Sequence, residues 1–463
     1  MNNSVIVIGG GISGLLTAYL LSKQNIDVTV LEKDSAVGGT MKTVPDNGWL
    51  IETGPNSALE TTPLIGEIIS SLGIESQRIY ANEQSSKRYI VKNGTLLPVP
   101  MDPLSFIRTK LWSAGGKLRL LKEPFIGRGN SEETIAQFVE RRLGKEFLDY
   151  AINPFVAGVY AGNPETLSVK HAFPKLYALE EKYGGLIKGM IGSRRERKAR
   201  KEIAKDRAKL FSFHDGMQSL PVNISRALGT AIINESTVES VIPMKVGNRP
   251  IYTVTFIQNG ERLKLEAPVV VLSSPADATA SIIEKIDPET ASVLRSIYYP
   301  PVAEVFLGFA DKQINRNLDG FGFLVPAVEH KNILGTIWSS SLFPNRAPRD
   351  HIALTTFVGG SRQPELTEFD DDEILKIVLD DLQALMQIEG KPVYQKIARW
   401  KRAIPQYNLG YGKILDKITR FEDNFQGTFV ASNYRGGIAV GDCFMNSDKT
   451  CKKIVDYLNR DHS

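Results

Sequence analysis

A glycine-rich turn near the start of the chain limits the possible folds more than any other feature. The stretch SVIVIGGGISGLL, residues 4–16, places an apolar strand directly before three glycines in the pattern G-x-G-x-x-G. The first glycine permits a tight turn, the second lets the backbone approach a pyrophosphate, and the third lets the following helix pack close to the strand. The pattern therefore predicts a dinucleotide site at a helix N-terminus in a parallel α/β sheet. The residues predicted to hold the phosphates are Gly9, Gly11, Ile12, Ser13 and Gly14.

The end of the second predicted strand indicates which dinucleotide binds. Residues 27–31 are typical of a strand, and Glu32 follows it directly. A carboxylate at this position accepts hydrogen bonds from the ribose hydroxyls and repels the 2′-phosphate of NADP, so FAD or NAD is favoured. Gly38 and Gly39 then resemble the GG extension of FAD proteins of the glutathione reductase and amine oxidase type, although Thr40 stands where that pattern usually has Arg. This resemblance favours FAD.

Two further segments resemble parts of the same FAD proteins. ETGPNS, residues 52–57, is similar to the segment that lies beside the isoalloxazine ring, where Gly54 and Pro55 bring backbone close to the flavin. Residues 427–443 predict a strand and a glycine-rich loop that return to the nucleotide domain, so the intervening sequence is inserted into it. The further cofactor contacts implied by the resemblance are Glu32, Lys33, Gly39, Thr40, Gly54, Pro55, Asn56, Ser57, Val238, Trp400, Ile438, Ala439 and Val440.

Segments with helical or strand-rich sequence patterns lie between the predicted parts of the nucleotide domain. Residues 103–210 are helical by their apolar spacing, and Ser131 is the expected N-cap of a helix that buries Phe138. Residues 299–357 carry four apolar stretches spaced like adjacent antiparallel strands, which would form a sheet over the flavin. Residues 369–386 predict an amphipathic helix whose acidic first turn suits the helix dipole.

Chain length and these blocks together predict the domain organisation. At 463 residues the chain exceeds a single hydrophobic core, so two or three domains are expected. The predicted fold class is α/β: a discontinuous Rossmann-like FAD domain of the glutathione reductase/amine oxidase type, a sheet-roofed substrate domain and an all-helical insertion. The expected domains are residues 1–75, 211–290 and 415–463 for FAD, residues 76–102 and 291–414 for the substrate, and residues 103–210 for a helical, membrane-associating part.

The basic residues are concentrated in one stretch. Between residues 188 and 210, ten Lys and Arg stand against three acidic residues, a local net charge of +7. A solvated surface segment, a contact with anionic lipid and a nucleic-acid patch are the three interpretations, and the lack of aromatic residues here disfavours nucleic acid. Cys443 and Cys451 lack metal-ligand spacing, so no metal is expected. No targeting pattern precedes the first strand, so we expect a cytoplasmic protein, peripheral on the inner face of the membrane if lipid is bound.

Several blocks, in order from residue 4 to about residue 445, resemble the oxygen-dependent protoporphyrinogen oxidase family within the amine oxidase superfamily. The glycine motifs occur in many flavoproteins, whereas VYAGNPETLSV and AIPQYNLGY are more specific to this family. After GDC the sequence FMNSDKTC departs from the family's usual continuation, which leaves the last helix open. The resemblance implies FAD as cofactor, a porphyrinogen and O2 as substrates, and transfer of the product to a ferrochelatase.

The resemblance also implies how a porphyrinogen would bind. Arg88 is the family's position for meeting a propionate, and a guanidinium suits a carboxylate bidentately. Leu324, Leu334 and Phe357 match apolar clamps around the macrocycle, and the backbone at Gly158 approaches the substrate. In the implied reaction a bridging methylene loses a hydride to flavin N5 while pyrrole protons leave, and O2 then yields H2O2. Because the flavin carries this chemistry, no protein nucleophile is required.

Other functions remain open from the sequence. Coproporphyrinogen has four propionates instead of two, and oxidation to coproporphyrin is the nearest alternative. A flavin amine oxidase or a carotenoid desaturase would share the FAD motifs. From a different class, a non-catalytic porphyrin- or flavin-binding protein would be expected to have lost flavin contacts, yet the glycines of the first turn and Glu32 are present.

Overall fold

Residues 4–193, 208–246 and 249–459 are described by a computed structural model of the chain. The strands are, in chain order, β1 (Ser4–Ile8), β2 (Asp27–Leu31), β3 (Thr43–Asp46), β4 (Trp49–Glu52), β5 (Ala58–Leu59), β6 (Arg78–Tyr80), β7 (Lys87–Lys92), β8 (Thr95–Pro98), β9 (Leu210–Phe213), β10 (Ile232–Ile233), β11 (Ser236–Val246), β12 (Arg249–Gln258), β13 (Glu261–Ala267), β14 (Val269–Leu272), β15 (Val302–Ala310), β16 (Gly320–Leu324), β17 (Ile333–Ile337), β18 (His351–Gly359), β19 (Tyr394–Trp400) and β20 (Thr428–Val430).

The α-helices surround these strands and make up most of residues 103–193. They are Ile12–Ser22, Pro63–Ser71, Pro103–Arg108, Ala114–Arg119, Ile135–Arg142, Lys145–Phe147, Asn153–Tyr160, Val169–Ala172, Pro174–Tyr183, Leu186–Gly192, Ser219–Leu228, Ala276–Ile283, Pro288–Arg295, Ser339–Leu342, Asp371–Met386, Tyr411–Asn424 and Val440–Asn459. A π-helix, Leu148–Ile152, connects the α-helices Lys145–Phe147 and Asn153–Tyr160 without a break. Among the described helices, none is both long and apolar enough to cross a bilayer.

The nucleotide sheet is assembled from three distant parts of the chain. Its order is β10-β2-β1-β14-β20, and every pairing in it is parallel. Val5 pairs with Val269, and Val270 pairs with Thr428, so β14 links the first strand to the last. Parallel strands buried on both faces require long crossover connections, which the intervening segments supply. The predicted discontinuous α/β domain is therefore confirmed.

A three-stranded antiparallel sheet of β11, β12 and β13 follows the second piece of the nucleotide sheet. The QNG segment, residues 258–260, turns the chain from β12 into β13, and Asn259 and Gly260 both take positive φ angles, 51° and 80°. Two successive residues with positive φ are the requirement of the tight turn that matches strand twist.

The largest sheet has seven strands in the order β19-β15-β18-β17-β16-β7-β8. One face packs on helix Asp371–Met386, where Val305 and Val358 of the sheet share a core with Val378 and Leu382 of the helix. The opposite face is turned toward the nucleotide domain. The four stretches between residues 299 and 357 are neighbouring antiparallel strands, as expected, since β16 pairs with β17, β17 with β18 and β18 with β15. Two pairings were not predicted: β15 also pairs with β19, and β16 lies parallel to β7. Strand spacing along the chain does not encode these long-range pairings.

The helical segment differs from the prediction in one detail. Thr134, and not Ser131, caps the helix Ile135–Arg142: its hydroxyl accepts from the Gln137 N–H at 3.1 Å, and the Gln137 side chain accepts from the Thr134 N–H at 3.0 Å. This reciprocal arrangement satisfies two N–H groups at the helix start, which a cap three residues earlier would leave unpaired. Most of the basic stretch, residues 194–207, lies outside the described residues.

Candidate active site

The turn after β1 forms a cradle open to a ligand. Gly9 has φ +107°, and a Cβ on Gly14 would overlap the Gly9 carbonyl oxygen, so both positions require glycine. A Cβ on Gly11, by contrast, would meet no protein atom within 4 Å. Gly11 is also the N-cap of helix Ile12–Ser22 and provides no side-chain cap. Open space in front of uncapped helix N–H groups fits a pyrophosphate.

Glu32 is held rigidly beside this cradle. Its Oε2 accepts from the Gly10 N–H at 2.6 Å and its Oε1 accepts from the Asp34 N–H at 2.9 Å, and the residue is only 6% exposed. The carboxylate is thereby fixed at the carboxyl end of β2, where a ribose would be met. Lys33 points into solvent, with its side chain 71% exposed and its ammonium 3.6 Å from Asp34.

Two of the predicted flavin segments, the GG extension at Gly38 and Gly39 and the segment of residues 52–57, meet next to the cradle. Gly39 approaches Gly11 closely, since a Cβ on Gly39 would lie 3.3 Å from the Gly11 Cα. A Cβ on Gly54 would overlap the Thr40 carbonyl oxygen, so these two backbones are in contact. The Trp400 indole N–H donates to the Thr53 carbonyl oxygen at 2.5 Å. Pro55, Asn56 and Ser57 follow, all half-buried.

The predicted contacts from later in the chain flank the same region. The Ser447 hydroxyl in helix Val440–Asn459 donates to the Ser13 carbonyl oxygen at 3.0 Å, which fixes the C-terminal helix against helix Ile12–Ser22. Val440 is buried at the start of that helix, and Ile438 and Ala439 are half-buried just before it. Val238 is half-buried near the start of β11, next to a bulge in the pairing with β12. The roles of these residues toward a cofactor stay predictions.

One row of residues crosses the face of the seven-stranded sheet that is turned away from helix Asp371–Met386. Leu324, Gly335, Phe357, Glu304 and Ala398 are successive partners in register from β16 to β19. Directly opposed residues point to the same face of a sheet, so these side chains line one surface.

The predicted substrate residues gather on this surface. A Cβ on Gly158 would overlap Leu324 Cδ2, which places helix Asn153–Tyr160 directly on β16. Leu334 is 2% exposed and shares a cluster with Ala157 and Phe357. A shift in the β17–β18 register next to Leu334 accounts for its presence on this face.

Arg88 lies further along the same face. It pairs in register with Gly322, two residues before Leu324, and it is exposed. No ion pair of its guanidinium is formed with the part of the chain that the structure describes. The side chain is therefore available to a ligand carboxylate, although no ligand contact tests this role.

Two buried carboxyl groups lie at the junction of this face with the flavin segments. Glu304 is 3% exposed, and its Oε1 accepts from the Asn56 amide at 2.9 Å. Burial raises the pKa of Glu304 well above its usual range, and the nearby Glu52 acts in the same direction. Burial likewise raises the pKa of Glu52 to about 7, although Thr43, Arg346 and the Met217 N–H stabilise its charged form.

A family profile described as flavin containing amine oxidoreductase matches residues 12–455. The chain belongs to the flavin-containing amine oxidoreductases.

Relatives in this family match over nearly the full length. Protoporphyrinogen oxidase 2, chloroplastic/mitochondrial, of Arabidopsis thaliana is 33% identical, covering 98% of this chain and 94% of its own. Coproporphyrinogen III oxidase of Bacillus subtilis (strain 168) is 26% identical, covering 98% of both chains. The structure of a candidate protoporphyrinogen oxidase from Exiguobacterium sp. 255-15 has a TM-score of 0.79 at 21% identity, covering 99% of this chain and 100% of that one, and shows the shared fold.

As a flavin-containing amine oxidoreductase, the chain uses FAD, as the sequence predicted. The open cradle at Gly11, the uncapped helix N-terminus and the fixed Glu32 carboxylate all fit this dinucleotide. Bound FAD supplies the two-electron oxidation of the substrate. The chain's own residues form the cradle and the sheet surface, and Arg88 is exposed on that surface.

Sequence reasoning missed two charged residues of this amine oxidoreductase site. Glu304 interrupts an otherwise apolar strand, and a lone acid in a buried strand is a detectable signal of function. Arg362 donates to the Val325 carbonyl oxygen at 2.9 Å and to Asn153 Oδ1 at 3.1 Å. No carboxylate pairs with Arg362 within the described ranges, and burial lowers the pKa of its guanidinium to about 10. Nothing local in the sequence distinguishes Arg362 from a surface arginine.

Proposed function

We propose that this chain oxidises protoporphyrinogen IX to protoporphyrin IX, with FAD as hydride acceptor and O2 as the final oxidant that yields H2O2. The observation that carries the proposal is a single sheet face. It presents Arg88, which has no ion pair with the described residues, and an apolar wall, and it reaches the predicted flavin segment where Glu304 meets Asn56. The relatives at up to 33% identity support a porphyrinogen as the substrate class.

The surface chemistry suits this substrate. A porphyrinogen is a flexible apolar macrocycle with carboxylate arms, and such ligands are bound by apolar walls with a few placed polar groups. Leu324, Leu334 and Phe357 supply the wall, and the exposed backbone at Gly158 allows close approach. Arg88 supplies the cation that meets a propionate bidentately. These residues bind and orient the macrocycle and exclude water, while the bound flavin accepts the hydride.

The proposal divides the chain as the sequence suggested. Residues 1–75, 211–290 and 415–463 hold the cofactor, residues 76–102 and 291–414 hold the substrate, and residues 103–210 form the helical part. Parallel pairing of β1, β14 and β20 supports the first group, and the seven-stranded sheet supports the second.

Oxidation of coproporphyrinogen III is the second candidate, and Arg362 favours it. Coproporphyrinogen carries four propionates, so it demands more cations than protoporphyrinogen. Arg362 is a second arginine without a carboxylate partner among the described residues, and it lies next to Val325, directly after the wall residue Leu324. The Bacillus subtilis relative, named as a coproporphyrinogen III oxidase, adds support.

An anaerobic titration of the FAD-loaded protein separates these candidates. Protoporphyrinogen and coproporphyrinogen are added separately, and flavin absorbance and porphyrin fluorescence are followed. Rapid bleaching by protoporphyrinogen with slow bleaching by coproporphyrinogen is the expected result. The reverse order would select the alternative, and a flavin that neither compound reduces would overturn both.

Peripheral binding to an anionic membrane is part of the proposal. Large apolar side chains that are exposed concentrate in the helical segment, and we call them the apolar patch: Met101, Leu104, Ile107, Leu118, Leu121, Phe125, Met190 and Ile191. The patch has two parts, one within residues 101–125 and one at residues 190–191. They are adjacent, because the Leu186 N–H donates to Glu123 Oε1 at 2.7 Å. Basic residues are interspersed, including Lys117, Arg119 and Lys122. Exposed apolar side chains among cations are typical of a surface that lies on anionic lipid.

Vesicle cosedimentation tests this surface. Wild-type protein is expected to sediment with vesicles containing phosphatidylglycerol, and to be released by salt. The double variant Leu121→Ser, Phe125→Ser is expected to bind more weakly, whereas Val393→Ser, which alters a residue 56% exposed outside the patch, serves as the control. Equal sedimentation of all three proteins would exclude the patch.

Transfer of product to a ferrochelatase completes the proposal. Protoporphyrin is an apolar, poorly soluble product, so delivery along a membrane surface to the next enzyme avoids its release into water. The apolar patch supports this route. Faster metal insertion by a ferrochelatase on the same vesicles than in detergent-free solution is the expected observation, and equal rates would contradict it.

A further inference from the structure

The most unusual group in the site is the carboxyl of Glu304. It lies in the middle of β15, whose other side chains are apolar apart from glycine, and every residue from Val302 to Phe309 is buried. Its register partners are Phe357 on β18 and Ala398 on β19, so it shares the surface that we assign to the substrate. Asn56, in the segment assigned to the flavin, holds its Oε1. Glu304 thus stands where the proposed substrate wall and the proposed flavin segment meet.

Within the described residues, no cation acts on Glu304 to compensate a negative charge. Glu52, the charged group that acts on it directly, bears the same sign. Arg346 is engaged by Glu52 at 3.5 Å and by the Ser212 hydroxyl at 2.7 Å. Lys396 is one row away on β19, opposite Phe306. An ionised carboxylate in this setting would be buried without a counter-ion, which is strongly unfavourable, so the carboxyl is neutral.

A neutral carboxyl at this place has one hydrogen left to donate. Because Oε1 accepts from the Asn56 amide, the proton resides on Oε2. Oε2 has no hydrogen-bond partner in the part of the chain that the structure describes. Oε2 is not one of the fully buried atoms that lack a partner, so the 3% of Glu304 that stays exposed includes it. A molecule that fills the site would cover this O–H, and leaving it without an acceptor would then cost free energy, so the acceptor is expected from that molecule.

The chemistry of the two ligands distinguishes which of them it is. The acceptors of a porphyrinogen are its propionates, which the proposed function places at Arg88 on β7, with β18, β17 and β16 between it and Glu304 on β15. The pyrrole nitrogens, which would lie nearer to Glu304, carry hydrogens and are donors, so they do not accept from a carboxyl O–H. The isoalloxazine ring of an oxidised flavin has ring nitrogens and carbonyl oxygens that accept. We propose that Glu304 is a flavin-contacting residue whose neutral carboxyl donates the Oε2 hydrogen to a carbonyl oxygen or N1 of the bound isoalloxazine ring, the atoms that gain electron density when the ring is reduced. This proposal rests on FAD binding and, where it excludes the substrate as the acceptor, on the proposed porphyrinogen.

The test compares Glu304→Gln and Glu304→Leu with wild type, all loaded with FAD. The amide of Gln keeps a donor but does not ionise, and Leu keeps similar volume without any donor. The readouts are the visible flavin spectrum and the flavin midpoint potential, measured between pH 6 and 10. Asp149→Asn, which changes a carboxylate paired with Lys145 in the helical segment, is the matched control.

A donor to the ring stabilises its electron-rich reduced form, so Glu304→Leu is expected to lower the midpoint potential and shift the visible absorption band at every pH. Wild type is expected to show an additional fall in potential at high pH, where the carboxyl ionises, and Glu304→Gln to lose that fall while keeping the wild-type potential at pH 6. Identical spectra and potentials for wild type and Glu304→Leu would overturn the proposal.

The outcomes separate this proposal from the proposed function. If Glu304→Leu does not retain flavin, the pH dependence of Glu304→Gln decides alone, and an unchanged high-pH fall in that variant would overturn the role of Glu304. Failure of porphyrinogens to bleach the flavin would refute the substrate assignment and leave the spectral result standing.

Discussion

Gly158 and Leu324 are in contact with no room for a methyl group between them. Gly158→Ala is therefore expected to displace the Leu324 side chain into the proposed substrate space, because this flexible side chain yields more easily than the helix. The expected result is a raised KM for the porphyrinogen with unchanged FAD content. Gly115→Ala, where a Cβ would meet only Ser113 Oγ at 3.7 Å, is the control and is expected to leave KM unchanged. Equal KM values for both variants would contradict the placement of Gly158.

A Cβ would have open space at Gly11 but would collide with protein at Gly14. Substitutions at these two glycines are therefore expected to affect folding and FAD binding differently. Gly11→Ala meets no protein atom within 4 Å, so the FAD-free protein is expected to keep its thermal unfolding midpoint while FAD affinity falls about tenfold or more. The Cβ of Gly14→Ala would collide with the Gly9 carbonyl, so this variant is expected to lower both the thermal unfolding midpoint and the FAD affinity. FAD fluorescence titration and thermal unfolding of the FAD-free proteins are the measurements, and full FAD affinity in Gly11→Ala would refute the cradle.

Loss of the Arg88 guanidinium is expected to weaken binding of a carboxylate substrate without affecting the flavin. A hydrogen bond to a charged group contributes about 1.5–3 kcal/mol, so Arg88→Gln is expected to raise KM about tenfold or more. Arg88→Lys is expected to recover part of the loss, because the charge stays but the fork geometry does not. Arg349→Gln, at a side chain 94% exposed, is the control. A KM that does not change in Arg88→Gln would remove Arg88 from the site.

The pKa of Glu52, raised by burial to about 7, links stability to pH. Between its ordinary value of 4.5 and 7, the folded protein holds a proton that the unfolded chain has lost, so stability falls as pH rises through this window. The contribution over the whole window is about 3 kcal/mol. Glu52→Gln is expected to flatten the decrease of the unfolding midpoint between pH 5 and 8, at a fixed FAD concentration. A decrease as steep as that of wild type would show that Glu52 is ionised throughout.

The nucleotide site could be predicted from sequence because its signals are local. Positive φ at Gly9 and the approach of Gly14 to the preceding strand are properties of adjacent residues, and a motif records them directly. The cofactor and family followed from similar local segments. Helix caps were less certain, since Ser131 and Thr134 are both plausible caps and only the partner Gln137 decides between them.

The surface of the seven-stranded sheet that we assign to the substrate could not be predicted in the same detail. The pairing of β15 with β18, the register shift that turns Leu334 toward Phe357, and the hydrogen bond between Asn56 and Glu304 all join residues far apart in sequence. These arrangements depend on global packing, which no local pattern encodes. The family resemblance predicted Leu334 and Phe357 as site residues, but it did not predict Glu304. A role for Glu304 can be inferred only when its neighbours in the fold are known.

The pairing of β1, β14 and β20 in one parallel sheet also determines when during synthesis the protein can mature. As the ribosome extends the chain, the glycine cradle emerges first, but β20 and the helix that braces Ser13 are translated last. Until then β14, the neighbour of the central strand β1, keeps an unpaired edge, which is a risk for association with other chains. Stable loading of the flavin is consequently a late event, and a chain arrested before residue 428 exposes that edge.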